Sequence, residues 1–324
     1  MKKGLILISL IVFSFLGEVN AQQLRFRNDG TFKIVQFTDT HVVPGNAESL
    51  NAIKLINETL DKENPDLIVF TGDVVTGKPA RDGWEMVLKP LAKKGIPFVI
   101  TMGNHDAEQD LNRSEIAAII TATPHCINKK DSKGLSDMAL EIKSAKNSNT
   151  SALLYCMDSN DYSKVDTVKG YGWFSFEQIQ WYRNTSARIT EANGGKPLPA
   201  LAFFHIALPE YKEAYKNERN NPVGIRLEDE CPASVNPGMF TAMLESKDVM
   251  GVFVGHDHNN DYLASLYGIA LGYGRFSGGK TTYVDIQNGA RIINLKEGER
   301  GFSTFIRLLD GSEICSTVFP GTFK

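Results

Sequence analysis

Five of the six histidines in this 324-residue chain stand directly after short apolar runs, and four of those five have Asp, Asn or another His within two residues. The fragments are Asp39-Thr40-His41, Gly72-Asp73, Gly103-Asn104-His105-Asp106, Phe204-His205 and Gly255-His256-Asp257-His258. Residues two apart in an extended segment point the same way, so Asp39 and His41 can reach one point together, as can His256 and His258. Together the fragments offer two carboxylates (Asp39, Asp73), one amide oxygen (Asn104) and four imidazoles (His41, His205, His256, His258), with no thiolate. That oxygen and nitrogen mixture suits Mn, Fe or Zn, not a cysteine zinc site or an all-oxygen calcium site. Seven donors exceed the needs of one ion and suit two. Asp73 is the natural bridge, because a carboxylate can give one oxygen to each metal.

The elements that must position these residues are legible as alternating strands and helices. Lys33 to Phe37 is a β-rich run ending at Asp39, and Leu67 to Phe70 is another, ending at Gly72-Asp73. Between them Leu50, Ile53, Ile56 and Leu60 recur at spacings of three and four, which predicts a helix with these residues on its apolar face. A second helix is expected near Trp84 to Lys94, closed by Gly95. Pro97 to Ile100 then leads into Gly103-Asn104. The intervals from Asp39 to Asp73 and from Asp73 to Asn104 each suit one βαβ crossover. Farther on, Met138, Leu140 and Ile142 alternate with polar neighbours and turn through residues 146–149 into Ala152 to Met157, a hairpin opening a second sheet. Ser175 to Gln178 has capping-box form ahead of another helix. Leu201 to Phe204 and Val252 to Val254 read as buried strands ending at His205 and at Gly255-His256. Residues 209–237, polar and proline-rich, read as a long surface loop and a candidate lid over the site.

Composition narrows the function. Hydrophobic residues make up 42% of the chain and charged residues 23%, with a net charge of −3, so it carries no global basic field to gather duplex nucleic acid. The N-terminus has two lysines, an apolar run from Leu5 to Leu16 and small residues up to Ala21, the pattern of a secretory signal peptide cleaved after residue 21. The run is too short to span a bilayer comfortably, so residues 22–324 are expected to form one exported domain with no membrane span. Its place would be the periplasm if the source is a Gram-negative bacterium, and otherwise the medium. Export permits disulfides among Cys126, Cys156, Cys231 and Cys315 in any of three pairings, although Cys156, inside an apolar run, reads as a buried thiol.

The five fragments together resemble the signature blocks of the calcineurin-like metallophosphoesterases. Leu154 to Tyr162, Tyr171-Gly172-Trp173, Trp181 to Ser186, His205 to Tyr211 and Gly255 to Tyr262 further resemble the small purple-acid-phosphatase-like proteins of plants and fungi. The resemblance implies an α/β fold, a four-layer αββα sandwich of two mixed β-sheets with the metals at the sheet edge. It also implies a ligand distribution: Asp39, His41, His258 and the bridging Asp73 for one divalent ion, and Asp73, Asn104, His205 and His256 for the other. Purple acid phosphatases carry a tyrosine three residues after the Gly-Asp aspartate and a glycine where this chain has His41. Here the tyrosine is replaced by Thr76, so His41 would restore the ligand count in a site that is complete but not purple. Some relatives without the tyrosine are labelled inactive.

The activity implied is hydrolysis of a small phosphoric ester, mono or di, by in-line attack of a metal-bridging hydroxide. His105, left over from the ligand set, is placed to protonate the leaving oxygen or else to support Asn104. Asp106 would orient His105 or hold a turn, and Asp257, between two ligands, should point away from the metals. Arg275 could contact phosphate or remain solvated, and His125 reads as structural. The tyrosines near Trp173 and Trp181 read as core. The rival expectation is a fold that has lost its metals and serves as a non-catalytic binding module, with no particular protein partner inferable.

Overall fold

Alternate side chains of the first strand diverge to opposite sides, and this sets the layering. A computed structural model describes residues 23–217 and 221–323; the leader expected over residues 1–21 lies outside them. In β1 (Thr31–Phe37), Val35 and Phe37 pack toward helices while Phe32 and Ile34 pack toward a second sheet. The same division holds in β2 (Leu67–Thr71), with Ile68 and Phe70 on one side and Leu67 and Val69 on the other, and in β3 (Phe98–Thr101). Strands buried on both faces read as unbroken apolar runs, which is why these segments were legible.

The first sheet has the order β12-β11-β10-β1-β2-β3, in which β10 is Gly289–Lys296, β11 Phe302–Leu308 and β12 Glu313–Phe319. β1, β2 and β3 run parallel, and the other three strands pair antiparallel. The second sheet runs β4 (Met138–Lys143), β5 (Thr150–Cys156), β6 (Ala200–Phe203), β7 (Val249–Val254), β9 (Ile269–Tyr273), β8 (Leu263–Leu266). Its four central strands are parallel, and β4 and β8 close its edges antiparallel. Leu154, Leu201, Phe203 and Phe253 of this sheet meet Ile34, Leu67, Val69 and Val99 of the first in a shared core.

Helices α1 (Ser49–Glu63), α2 (Ala80–Lys94) and α3 (Arg113–Thr121) cover the outer face of the first sheet. Helices α4 (Phe176–Ala192), α5 (Glu210–Lys216) and α6 (Met239–Ser246) cover that of the second. The result is the four-layer αββα sandwich of two mixed sheets. Gly95 ends α2 in the left-handed conformation, and Ser175 and Gln178 form the reciprocal capping box of α4.

Two expectations need correction. In α1, Leu50 is 59% exposed and Ile53 only partly buried, while Ala52, Leu55, Ile56, Thr59, Leu60 and Glu63 face inward. Ser49 sets the phase through hydrogen bonds to the backbone N–H and C=O of Val43. The inward stripe then includes Thr59 and Glu63, whose carboxylate pairs with Arg307 and Lys33, and hydrophobicity alone does not mark such positions. The stretch 209–237 is likewise not all loop. Tyr211 and Ala214 of α5 enter the core, with the Tyr211 hydroxyl bonded to the carbonyls of Val252 and Gly272. The part after residue 221 is fastened to the loop after β7 and to β8: Val223 pairs with Leu263, Arg226 with Asn260, and Cys231 N–H donates to Asp257. It is tethered along its length, which a free lid would not be.

Leu55→Ala should cost about 2–5 kcal/mol of folding stability, whereas Leu50→Ala should stay within about 0.5 kcal/mol. Urea unfolding of the two variants checks the assignment, and equal losses would return Leu50 to the core.

Candidate metal centre

Four of the seven donor residues sit where the backbone is bent out of its ordinary range. Asp39, His41, Asp73 and His256 all have positive φ, at 52°, 42°, 51° and 80°. Left-handed non-glycine residues are uncommon, Asp, Asn and His are the side chains that tolerate the region best, and each such residue costs on the order of 1–3 kcal/mol. The surrounding structure holds the bends. The buried carboxylate of Asp106 accepts N–H bonds from Asp73, Val74 and Gly103, tying the ends of β2 and β3 together. Gly103 and Gly255 are required by close approach: a Cβ on Gly103 would lie 2.1 Å from Asp73 Oδ1, and one on Gly255 would lie 2.5 Å from Asp39 Oδ2.

From the ends of β1, β2, β6 and β7, two donor groups converge. Asp39, His41 and His258 form one and Asp73, His205 and His256 the other; within each group the ligand atoms lie no more than 4.8 Å apart, and all six residues are buried. His258 Nε2 is 3.7 Å from Asp39 Oδ1, and His41 Nε2 is 3.9 Å from it. Asp73 Oδ2 joins the groups, 3.8 Å from His41 Nε2 and 3.2 Å from His205 Nε2. Asn104 completes the set with Oδ1 3.1 Å from His205 Nε2, and His256 Nδ1 lies 3.2 Å from the same atom. Outer partners fix the rings: His205 Nδ1 donates to Thr71 O at 2.7 Å and His258 Nδ1 to Tyr283 O at 2.9 Å, so both turn Nε2 inward.

These residues fit divalent cations. His41 Nε2 and Asp73 Oδ2 are buried without a hydrogen-bond partner, although buried polar atoms in folded proteins are nearly always satisfied. Both face the gap between the two groups. Burial pushes Asp39 up to about 7 and His41 down to about 3, and it lowers His256 and His258 as well. Burial would also raise Asp73, but His205 beside it, together with His41 and His105, outweighs that effect and holds Asp73 below the usual carboxylate range. Burial opposes a charged His205 too, yet Asp73, with Asp39 and the carbonyl of Thr71, lifts it to about 10. Two carboxylates thus share a dry space with three imidazoles held neutral, those of His41, His256 and His258, whose lone pairs are free for a metal, and with His205, which Asp73 draws to its charged form.

The remaining candidates fall into distinct places. His105 lies at the rim, its side chain 37% exposed and its ring 5.9 Å from that of His41, with Nδ1 2.5 Å from Glu108 Oε2. Asp106 holds the turn and does not orient His105. Asp257 points away from the donors, accepting from the hydroxyl of Tyr273 and from Cys231 N–H. His125 is exposed, outside both donor groups. Arg275 requires correction: it is 2% exposed, its Nη1 paired with Asp261 and its Nε bonded to Gln287 O, so it is neither solvated nor presented to a phosphate. A Gly-Tyr-Gly-Arg string carries no sign of a buried acid 14 residues upstream. The four cysteines are free thiols.

Sequence reading missed four groups. Tyr171, expected in the core, stands edge-on to His256 with ring centroids 4.4 Å apart. Tyr283 stacks on His258 at 4.3 Å. Tyr162 donates to Glu108 Oε1 at 2.8 Å and accepts from Asn104 Nδ2 at 3.2 Å. Burial, then the bond to Glu108, pushes the Tyr162 phenol up to about 12, so it stays a donor through the neutral range. Only Glu108, three residues after His105, had a local signal.

Comparisons with known proteins agree with this geometry. The model of the calcineurin-like phosphoesterase family matches residues 32–260. The chain is 34% identical over 287 residues to "Probable inactive purple acid phosphatase 29" of Arabidopsis thaliana, covering 78% of this chain and 73% of that one. It is 30% identical over 290 residues to "Phosphatase DCR2" of Saccharomyces cerevisiae, where 78% of this chain corresponds to 49% of the yeast protein. Among solved structures, a dimetal phosphatase from Danio rerio superposes with a TM-score of 0.62 at 11% identity, covering 89% of this chain and 98% of that one. Purple acid phosphatase PPD1 of yellow lupin gives a TM-score of 0.56 at 14% identity, over 90% of this chain and 54% of the lupin chain. The chain belongs to the calcineurin-like phosphoesterase family.

Proposed function

We propose that this protein is an exported, metal-dependent hydrolase of small phosphoric esters that works with two divalent cations. The observation that carries the reading is the pair of buried atoms without a hydrogen-bond partner, His41 Nε2 and Asp73 Oδ2, 3.8 Å apart inside an otherwise complete donor set. Asp39, His41 and His258 would hold one cation and Asn104, His205 and His256 the other, with Asp73 reaching both. When bound, the cations would supply positive charge to a phosphoryl group and activate water near neutral pH; Mn, Fe and Zn all suit the donors.

The chain's own residues do the rest. Asp39 and Asp73 fix the spacing of the site, and the neutral imidazoles of His41, His256 and His258 contribute donors without further negative charge. His105 has Nδ1 engaged by Glu108 and therefore keeps Nε2 for a proton that can pass to the departing oxygen, help typically worth about 10²–10⁴-fold. Tyr171 and Tyr283 line opposite donor groups, Tyr171 edge-on beside His256 and Tyr283 stacked on His258. A small phosphorylated substrate suits this setting, and duplex nucleic acid does not suit a chain of net charge −3.

A second reading has its own support: plant relatives carry "inactive" in their names, and a non-catalytic scaffold would keep the fold. The wild-type chain with added Mn should hydrolyse p-nitrophenyl phosphate or its bis ester, the preference separating monoesterase from diesterase. Asp73→Asn should remove both ions, measured by metal analysis, and the activity with them. A wild type with well under one ion per chain would instead support the scaffold.

His105→Ala should leave both ions in place and slow esters with poor leaving groups most, by about 10²–10⁴-fold. Equal slowing across a leaving-group series would remove His105 from the acid role.

Export rests on the basic start and the apolar run from Leu5 to Leu16. Among the described residues no helix is long and apolar enough to cross a membrane. Expressed in a Gram-negative host, the chain should be recovered from the periplasm with Gln22 as its first residue by N-terminal sequencing. Cytoplasmic protein that still begins at Met1 would refute the leader.

A further inference from the structure

One phenol links two groups that have separate tasks. Tyr162 comes from the segment between β5 and α4, 58 residues from Asn104, and its hydroxyl accepts from Asn104 Nδ2 while donating to Glu108 Oε1. The second oxygen of Glu108 holds His105 Nδ1. Asn104, His105 and Glu108 all lie on the short loop after β3, so the phenol closes a ring of contacts that the loop cannot close alone. The ring of Tyr162 is held independently of its hydroxyl, stacked on Tyr171 at 5.7 Å.

The physical need is clear at each end. A primary amide presents an acceptor at one end and donors at the other, and only the oxygen is a useful metal donor. With its nitrogen on Tyr162, Asn104 has its oxygen 3.1 Å from His205 Nε2, on the side of the donor group. His105 and Glu108 are both more than one third exposed, so without a further restraint either side chain could rotate into solvent. A carboxylate on one ring nitrogen of a histidine sets both tautomer and orientation, provided that the carboxylate itself is held.

We propose that Tyr162 is a positioning residue that turns the oxygen of Asn104 toward the Asp73, His205 and His256 donors, and that Glu108, steadied by the same phenol, positions His105 as the proton donor. This rests on the two-cation reading given above. The latch couples metal retention at one site to alignment of the acid: removing the hydroxyl loosens both, and removing the Glu108 charge loosens only the second.

The test uses the full chain as wild type, Tyr162→Phe and Glu108→Gln. Mn²⁺ binding is titrated calorimetrically, and kcat and KM are measured on p-nitrophenyl phosphate and on an alkyl phosphate. The wild type should bind two ions. Tyr162→Phe, with an unchanged melting temperature, should keep one site and bind the second ion about 10–100-fold more weakly. Glu108→Gln should bind both ions as the wild type does, with kcat falling on the alkyl ester far more than on the nitrophenyl ester and KM little changed. Added to His105→Ala, Glu108→Gln should have no further effect. Wild-type affinity for both ions in Tyr162→Phe would overturn the Asn104 half, and equal slowing of the two esters by Glu108→Gln would overturn the His105 half. A wild type that binds two ions but hydrolyses neither ester would overturn the hydrolase reading and the His105 half together, while the titration still decides the Asn104 half. A wild type that binds no Mn²⁺ overturns both.

Discussion

Two carboxylates, Asp39 and Asp73, are held almost fully buried within reach of the same imidazoles, and this crowding of negative charge in a dry space is the constraint on which the rest depends. His205, drawn to its charged form by Asp73, offsets part of it from within the protein. The other three imidazoles are pressed toward neutrality by burial and so cannot serve as counter-charges, only as donors. A site of this kind is costly to build unless positive charge arrives from outside, and seven oxygen and nitrogen donors are what divalent cations require.

The sandwich exists to hold that arrangement still. Parallel strands from both sheets end at the site, and the shared core between the sheets, with Val69 and Val99 on one side and Phe203 and Phe253 on the other, fixes the distance between ligands on different sheets. The left-handed turns at Asp39, His41, Asp73 and His256 give back some of this stability, and bonds from Asp106 and the bare backbone of Gly103 and Gly255 maintain them. Rigid packing outside and backbone strain inside are two aspects of one design: the strain persists because the core leaves the loops no lower-energy path.

Two plant relatives bear the word "inactive" in their names, and this chain has Thr76 where its resemblance to purple acid phosphatases would place a metal-ligand tyrosine. The geometry gives the substitution a compensating partner. His41 reaches the group shared with Asp39 and His258, with its Nε2 unpartnered beside Asp73 Oδ2, so the donor count does not fall with the loss of a phenolate. Whether such a site turns over is a question about the rim as much as about the ligands, and the rim holds Glu108, His105 and Tyr162.

What was legible in the sequence followed from local pattern. Apolar runs of four to seven residues become strands because each must bury both faces, and the polar residue just past the run then lies at a sheet edge; that logic alone located Asp39, Asp73, Asn104, His205, His256 and His258. Tertiary structure decided everything that depends on which distant segments meet. Arg275 was drawn into a buried pair with Asp261, the face of α1 was rotated past Leu50 by the bonds from Ser49 to Val43, and Tyr162 was carried across to Asn104 and Glu108. Hydrophobic periodicity is a property of neighbours along the chain and survives in the sequence; a hydrogen bond between loops exists only once the sheets have been packed together and has no local trace to read.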